Sequence, residues 1–279
     1  MPVFFQKLIP KLYGLYFNLF VWFIPKKIAK KAFTVFATVR KGRVLPNQKE
    51  YLDNAKFEVI SVGENKIQVY NWPGSKETVI LIHGWESNTW RWHKLIEKLQ
   101  KEDYNIIAFD APAHGYSSGK ILHAPLYAET LQALLLKYEP KMAIGHSMGG
   151  MTLLYNESKN PNSQIEKMVT VGSPSEFHEI LNHYKNLLGF NDKVREEIEK
   201  LVYKKFNFTT EDFSSSKFVQ NNHKKGLIFH DRLDQIAPYH ASVNVNEHWK
   251  GSELFSTEGF GHSMHQDVVN DKIIDFLKH

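Results

Sequence analysis

The sequence predicts an α/β protein: a mostly parallel, eight-stranded sheet with helices on both faces. Three observations carry this. Eight short segments read as strands, and several are the continuous apolar runs of parallel strands covered on both sides. Stretches of helical spacing separate most of them. The first two strands instead alternate polar and apolar residues a short turn apart, as an antiparallel pair does.

In chain order, residues 1–48 read as an apolar and basic helical extension. "LYGLYFNLFVWFI" (12–24) is apolar almost all round, broken only by Gly14 and Asn18. Such a helix is buried or lies in lipid. It falls short of the roughly 20 residues a spanning helix needs. "PKKIAKK" follows without a small-residue cleavage site, which argues against a signal peptide. Residues 26–41 are amphipathic: Ile28, Ala32, Val35, Phe36 and Val39 share a stripe, and Lys27, Lys30, Lys31 and Lys41 lie elsewhere. "GRVLPNQ" (42–48) reads as a linker.

Residues 49–279 form the main domain. "KFEVISVG" and "KIQVYNW" are the antiparallel pair. "TVILIHG" (78–84), "NIIAFDA" (105–111), "KMAIGHS" (141–147), "KMVTVGS" (167–173), "KGLIFHD" (225–231) and "SELFSTEG" (252–259) follow. Helical patterns occupy 91–101, 125–139, 148–158, 238–248 and 265–278. About fifty residues separate the strands ending near 173 and beginning near 225, far more than an ordinary link. They hold two or three helical patterns, so 175–222 is expected to form a cap or lid.

Composition narrows the function. Hydrophobic content of 42% supports a packed core and excludes disorder as the default. The absence of cysteine removes disulfide and thiolate chemistry and fits the cytoplasm. Residues 1–43 hold nine Lys/Arg and no acid, leaving 26 basic against 30 acidic residues elsewhere. A mildly acidic body with a basic end, lacking any nucleic-acid motif, is not expected to bind nucleic acid. Without an H-E-x-x-H motif or cysteines, neither metal nor cofactor is expected.

Gly145-His146-Ser147-Met148-Gly149 matches G-x-S-x-G, and so does Gly115-Tyr116-Ser117-Ser118-Gly119. Context separates them. A nucleophile of this type needs a strand, a sharp turn and a helix starting at once. "KMAIGH" and "MGGMTLLYN" flank Ser147 in that way, whereas Ser117 sits in a loop well past its strand. A serine hydroxyl also needs a base, an orienting acid and donors for an oxyanion. Strand ends offer each: His83-Gly84-Trp85 after "VILI", Asp234 in "HDRLDQIAP" and His262 closing "TEGFGH".

These motifs, in the order HG, "FDAPAHGYS", GHSMG, D-x-x-A-P and G-x-G-H, resemble the α/β-hydrolase fold superfamily, in its serine esterase and lipase-like branch. The resemblance covers residue 56 to the end and implies roles. Trp85 and Met148 would give backbone N–H donors to the oxyanion. His262 would be base and then acid, and Asp234 would hold its imidazole. Ala113 departs from the usual glycine of D-x-P-G-H-G. Asp231 replaces a common glycine and is a rival acid, with Asp234 favoured by its spacing to Pro238. The expected activity is hydrolysis of a small-molecule or lipid-like carboxylic ester. Thioesterase, lysophospholipase, amidase, carbon–carbon hydrolase and perhydrolase chemistry stay open on the same triad, as does a non-catalytic binding protein. Residues 8–41 are left with two fates, peripheral membrane contact or packing on the domain.

Overall fold

The computed structural model describes residues 3–279, with side chains from Leu8 onward. The chain divides into two compact units: the chain through Thr38 together with Glu176–Ser214, and Val39–Ser175 together with Ser215–His279.

The larger unit is built on eight strands: β1 (Lys56–Val62), β2 (Asn65–Trp72), β3 (Lys76–Ile82), β4 (Tyr104–Phe109), β5 (Met142–His146), β6 (Lys167–Val171), β7 (Lys225–Asp231) and β8 (Ser252–Thr257). They lie in the order β1-β2-β4-β3-β5-β6-β7-β8. β1–β2 and β2–β4 pair antiparallel, and all other pairs are parallel. The "VILI" run of β3 shows why parallel strands need apolar residues at every position. Val79 and Leu81 enter one core with Leu95, Leu99, Ile273 and Leu277, while Ile80 and Ile82 enter the other with Leu131, Leu134, Leu153 and Leu154. The first core is covered by α3 (Pro46–Asp53), α4 (His93–Lys101) and α11 (Asp267–Lys278); the second by α5 (Ala124–Tyr138), α6 (Met148–Lys159) and α10 (Tyr239–His248). A short helix, α9 (Ser215–Phe218), precedes β7. Strand order reverses at β3, which has β4 on one side and β5 on the other. The carboxyl ends of strands around such a switch are where open α/β sheets bind ligands.

The segment read as a linker is largely structured. Pro46 opens α3, and Gln48 Oε1 accepts the Leu45 N–H at 2.9 Å, a start signal made by proline at the first helical position and glutamine at the third. Before it, the Arg43 guanidinium donates to the carbonyls of Gly115, Ser117 and Gly119.

The smaller unit joins segments far apart in sequence. α1 (Val3–Phe20) and α2 (Pro25–Ala37) pack with α7 (Phe177–Leu188) and α8 (Asp192–Phe206). The two breaks in the apolar run of α1 are its points of attachment. A Cβ on Gly14 would lie 2.0 Å from the Leu188 carbonyl oxygen, so only glycine lets the helix approach this closely. Asn18 Nδ2 donates to Gly189 O at 3.0 Å and its Oδ1 accepts the Asn191 N–H at 2.7 Å, satisfying the turn between α7 and α8. From α2, Phe36 packs on Phe177 and Tyr184, and the Tyr184 hydroxyl donates to Ala32 O. No helix among the described residues is long and apolar enough to cross a membrane.

A Gly14→Ala change tests the attachment. Alanine gains about 1 kcal/mol in helix propensity, but forcing a methyl into backbone costs about 1–3 kcal/mol. The clash wins at a contact this short, because the atom met is a carbonyl that no side-chain rotation removes. A lower thermal midpoint is expected, by about 2–4 °C per kcal/mol of net loss. A higher midpoint would show that the approach is looser than described.

Candidate active site

Ser147 follows β5 with φ 52° and ψ −123°, a conformation that costs a non-glycine residue about 1–3 kcal/mol and persists only when its surroundings enforce it. They do so here. The Ser147 N–H donates to Val171 O at 2.8 Å on β6. Behind the turn, a Cβ on Gly149 would lie 2.3 Å from Ile82 O, so α6 starts pressed against β3. Met148 is the first residue of α6, where backbone N–H groups lack helical partners. A Cβ on Gly84 would come within 3.0 Å of the Ser147 Cβ, which brings the turn carrying Trp85 beside the serine. Among the described residues, neither the Trp85 nor the Met148 N–H donates a hydrogen bond to another protein group.

Three side chains from different strand ends meet in line. The Ser147 hydroxyl lies 3.0 Å from His262 Nε2, and His262 Nδ1–H donates to Asp234 Oδ2 at 2.7 Å. With the Nδ1 proton held by a carboxylate, Nε2 keeps its lone pair toward the serine. The other oxygen of Asp234 accepts the N–H groups of Ile236 and Ala237 at 2.7 and 3.1 Å. Burial works against ionising Asp234, but these bonds outweigh it and hold the carboxyl below the usual aspartate value.

The sequence profile of the alpha/beta hydrolase fold matches residues 77–201. The pimeloyl-[acyl-carrier protein] methyl ester esterase of Vibrio vulnificus (strain YJ016) is 32% identical over 106 residues, which are 37% of this chain and 40% of that protein. The chain thus matches about two fifths of the length of that relative. The bifunctional esterase/perhydrolase of Acinetobacter calcoaceticus is 23% identical over 261 residues, covering 74% of this chain and 93% of that protein. Among solved structures, the esterase of Exiguobacterium antarcticum superposes with a TM-score of 0.63 at 18% identity, over 81% of this chain and all of that one. The chain has the α/β-hydrolase fold. The family's fold expected from the motifs is the fold observed.

Around the three aligned side chains, the chain carries supports that the motifs do not spell out. Asp231, at the end of β7, is bonded to other groups than His262, whose Nδ1 meets Asp234. Asp231 accepts from the Thr257 hydroxyl (2.9 Å) and from the N–H groups of Phe260 (2.7 Å), Leu233 (3.0 Å) and Gly259 (3.3 Å). It therefore pins the loop that leads into His262. His146 Nε2–H donates to His262 O at 3.0 Å, and the Arg91 guanidinium donates to Ser263 O at 2.8 Å. Burial pushes the His146 imidazole well below its ordinary pKa, with the Arg91 charge adding to the effect, so it acts as a neutral donor. His230 donates to Ala237 O at 2.9 Å and steadies the loop of Asp234. A histidine or aspartate at a strand end was a visible signal for His146, His230 and Asp231. Arg91 had none.

Other residues singled out in the sequence take structural places. Ser117 is buried; its hydroxyl donates to Asp110 O at 2.6 Å and accepts the Gln68 N–H at 2.9 Å. His83 accepts the Ala111 N–H, donates to Gly84 O and is pushed down to about 4 by burial. Trp92 is buried in the core under Arg91, Trp90 stacks on His93, and Trp85 meets the edge of His114. His265 is exposed. Ala113 adopts the left-handed backbone, φ 70°, that a glycine there enters freely.

Asp231 sets an acid dependence of stability. Burial opposes its ionisation, but the bonds from Phe260, Thr257, Leu233 and Gly259 win and lower its pKa. A carboxyl lowered on folding stabilises the native state above its unfolded value of about 4. That contribution disappears as pH falls through the lowered folded value. Denaturant midpoints measured from pH 6 down to pH 2 should fall for the native sequence and fall less for Asp231→Asn. Parallel curves would remove Asp231 from this role.

Proposed function

We propose that the protein hydrolyses a small-molecule carboxylic ester through an acyl-enzyme on Ser147. The observation that carries this reading is the unbroken line from the Ser147 hydroxyl through His262 to Asp234, mounted on a turn strained to present the serine. In the reaction, Ser147 Oγ bonds to the ester carbonyl carbon while its proton passes to His262 Nε2. The charge that develops on the carbonyl oxygen is taken by the N–H groups of Trp85 and Met148. Collapse of this intermediate breaks the ester C–O bond, and His262 returns the proton to the departing alcohol. Water then repeats the sequence on the acyl-enzyme, giving the carboxylic acid and free Ser147. Asp234 keeps the imidazole in the required tautomer and offsets its transient charge.

The names of the relatives support the same reaction class. A second reading, with hydrogen peroxide replacing water in the last step to give a peracid, is favoured by the esterase/perhydrolase relative of Acinetobacter calcoaceticus.

A fluorescent phosphonate that reacts only with activated serines tests the proposal. Stoichiometric labelling is expected, together with turnover of p-nitrophenyl esters, whose optimum chain length reports the acyl pocket. Repeating the assay with peroxide separates the second reading. A folded protein that neither labels nor turns over any ester would favour the binding-protein alternative.

A further inference from the structure

The attachment of α1 uses only one of its faces. Phe17 and Val21 are fully buried beside Gly14, and Lys11 Nζ donates to Asn186 O at 3.0 Å. On the opposite side, Leu8, Leu12, Leu15, Leu19 and Trp22 recur at alternating steps of four and three, which places them on one stripe. All are exposed, Leu15 and Trp22 by 67% and the adjoining Phe23 by 77%. Ile9, Tyr16 and Phe20 widen the stripe. An apolar face of this breadth is uncommon on a soluble monomer and marks a surface that meets something.

We propose that this face docks on an anionic lipid surface. Charge decides among the occupants. The outward face is followed at once by Lys26, Lys27, Lys30 and Lys31, all exposed, within a 43-residue stretch that holds no acid. A second copy of this segment would add further lysines and offer no acid among its own residues 1–43 to pair with them. An anionic membrane accepts both features together, the leucines below the headgroups and the lysines among them. Trp22 and Tyr16 are the aromatic types that favour that boundary, with Phe20 and Phe23 on the apolar side. The same architecture rules out spanning: α1 holds α7 and α8 with its other face and lies in the surface rather than across it. Packing against α7 and α8 accounts for one face of the helix, and the proposal concerns the other.

Co-sedimentation of the full chain tests this with two vesicle compositions, phosphatidylcholine alone and phosphatidylcholine with 30% phosphatidylserine, at about 50 and 500 mM salt. Strong binding is expected only to the anionic vesicles at low salt. Leu15→Glu with Leu19→Glu should weaken it at least tenfold. A quadruple Lys26, Lys27, Lys30, Lys31→Gln variant should weaken it similarly and flatten the salt dependence. All four outward-pointing lysines and both leucines are solvent-exposed, so unchanged thermal midpoints will certify folding. The proposal is overturned if the native chain stays in the supernatant with anionic vesicles at low salt, or if binding survives both variants. It is also overturned if the native chain instead forms a dimer that the leucine variant dissolves.

Discussion

Ser147→Ala is expected to abolish phosphonate labelling and to lower kcat for p-nitrophenyl esters by about 10⁴–10⁶, with the fold intact. The size follows from the chemistry. Without the hydroxyl no acyl-enzyme forms, and only the oxyanion donors and bound water remain to assist. The exposed-turn backbone at φ 52° relaxes little, because the glycines and the Val171 bond hold it from outside the side chain. The contrasting variant is Ser117→Ala, in the second G-x-S-x-G. Removing a buried hydroxyl that serves Gln68 N–H and Asp110 O costs about 1–3 kcal/mol of stability. Its labelling and kcat remain near native. Should Ser117→Ala lose labelling while Ser147→Ala keeps it, the nucleophile has been assigned to the wrong turn.

Under the proposal, the two neighbouring aspartates divide chemistry from architecture, and amide substitutions separate them. Asp234→Asn is expected to lower kcat by about 10⁴, some 5.5 kcal/mol of transition-state stabilisation. The amide neither fixes the Nδ1–H tautomer of His262 nor offsets its charge. Asp231→Asn loses about 1.5–3 kcal/mol of stability, because a carboxylate that receives four donors becomes a group with one acceptor oxygen. Its kcat per folded molecule stays within about tenfold. Steady-state kinetics beside thermal unfolding reads both at once, and the opposite ranking in kcat would transfer the orienting role to Asp231.

Features written in local pattern were readable in the chain itself. The strands of the sheet are short apolar runs, and each residue of the Ser147–His262–Asp234 line follows one of them. Features that depend on pairing were not. Asp231 and Asp234 are three residues apart and chemically alike. Only the register that sets Asp231 beside Thr257 shows which of them holds the loop and which meets the imidazole. Arg91 gave no signal, since its partner is a backbone carbonyl 172 positions away. The helix α3 was hidden in a segment of linker-like composition, although Pro46 and Gln48 carry its start. Gly14 and Asn18 stood out as interruptions, but hydrophobic periodicity reports that a helix buries a face without naming what covers it.

The pairing of α1 with the α7–α8 turn also sets a timetable for synthesis. Asn18 leaves the ribosome 171 residues before Gly189, the carbonyl it will hold. At about 5–20 residues per second that interval is roughly 10–35 s. Throughout it, both the stripe that later seats on α7 and the opposite stripe are uncovered as one continuous apolar cylinder. The nascent chain is therefore most prone to chaperone capture, aggregation or early adsorption to a bilayer before the insertion emerges, and slowing translation ahead of Glu176 lengthens that exposure.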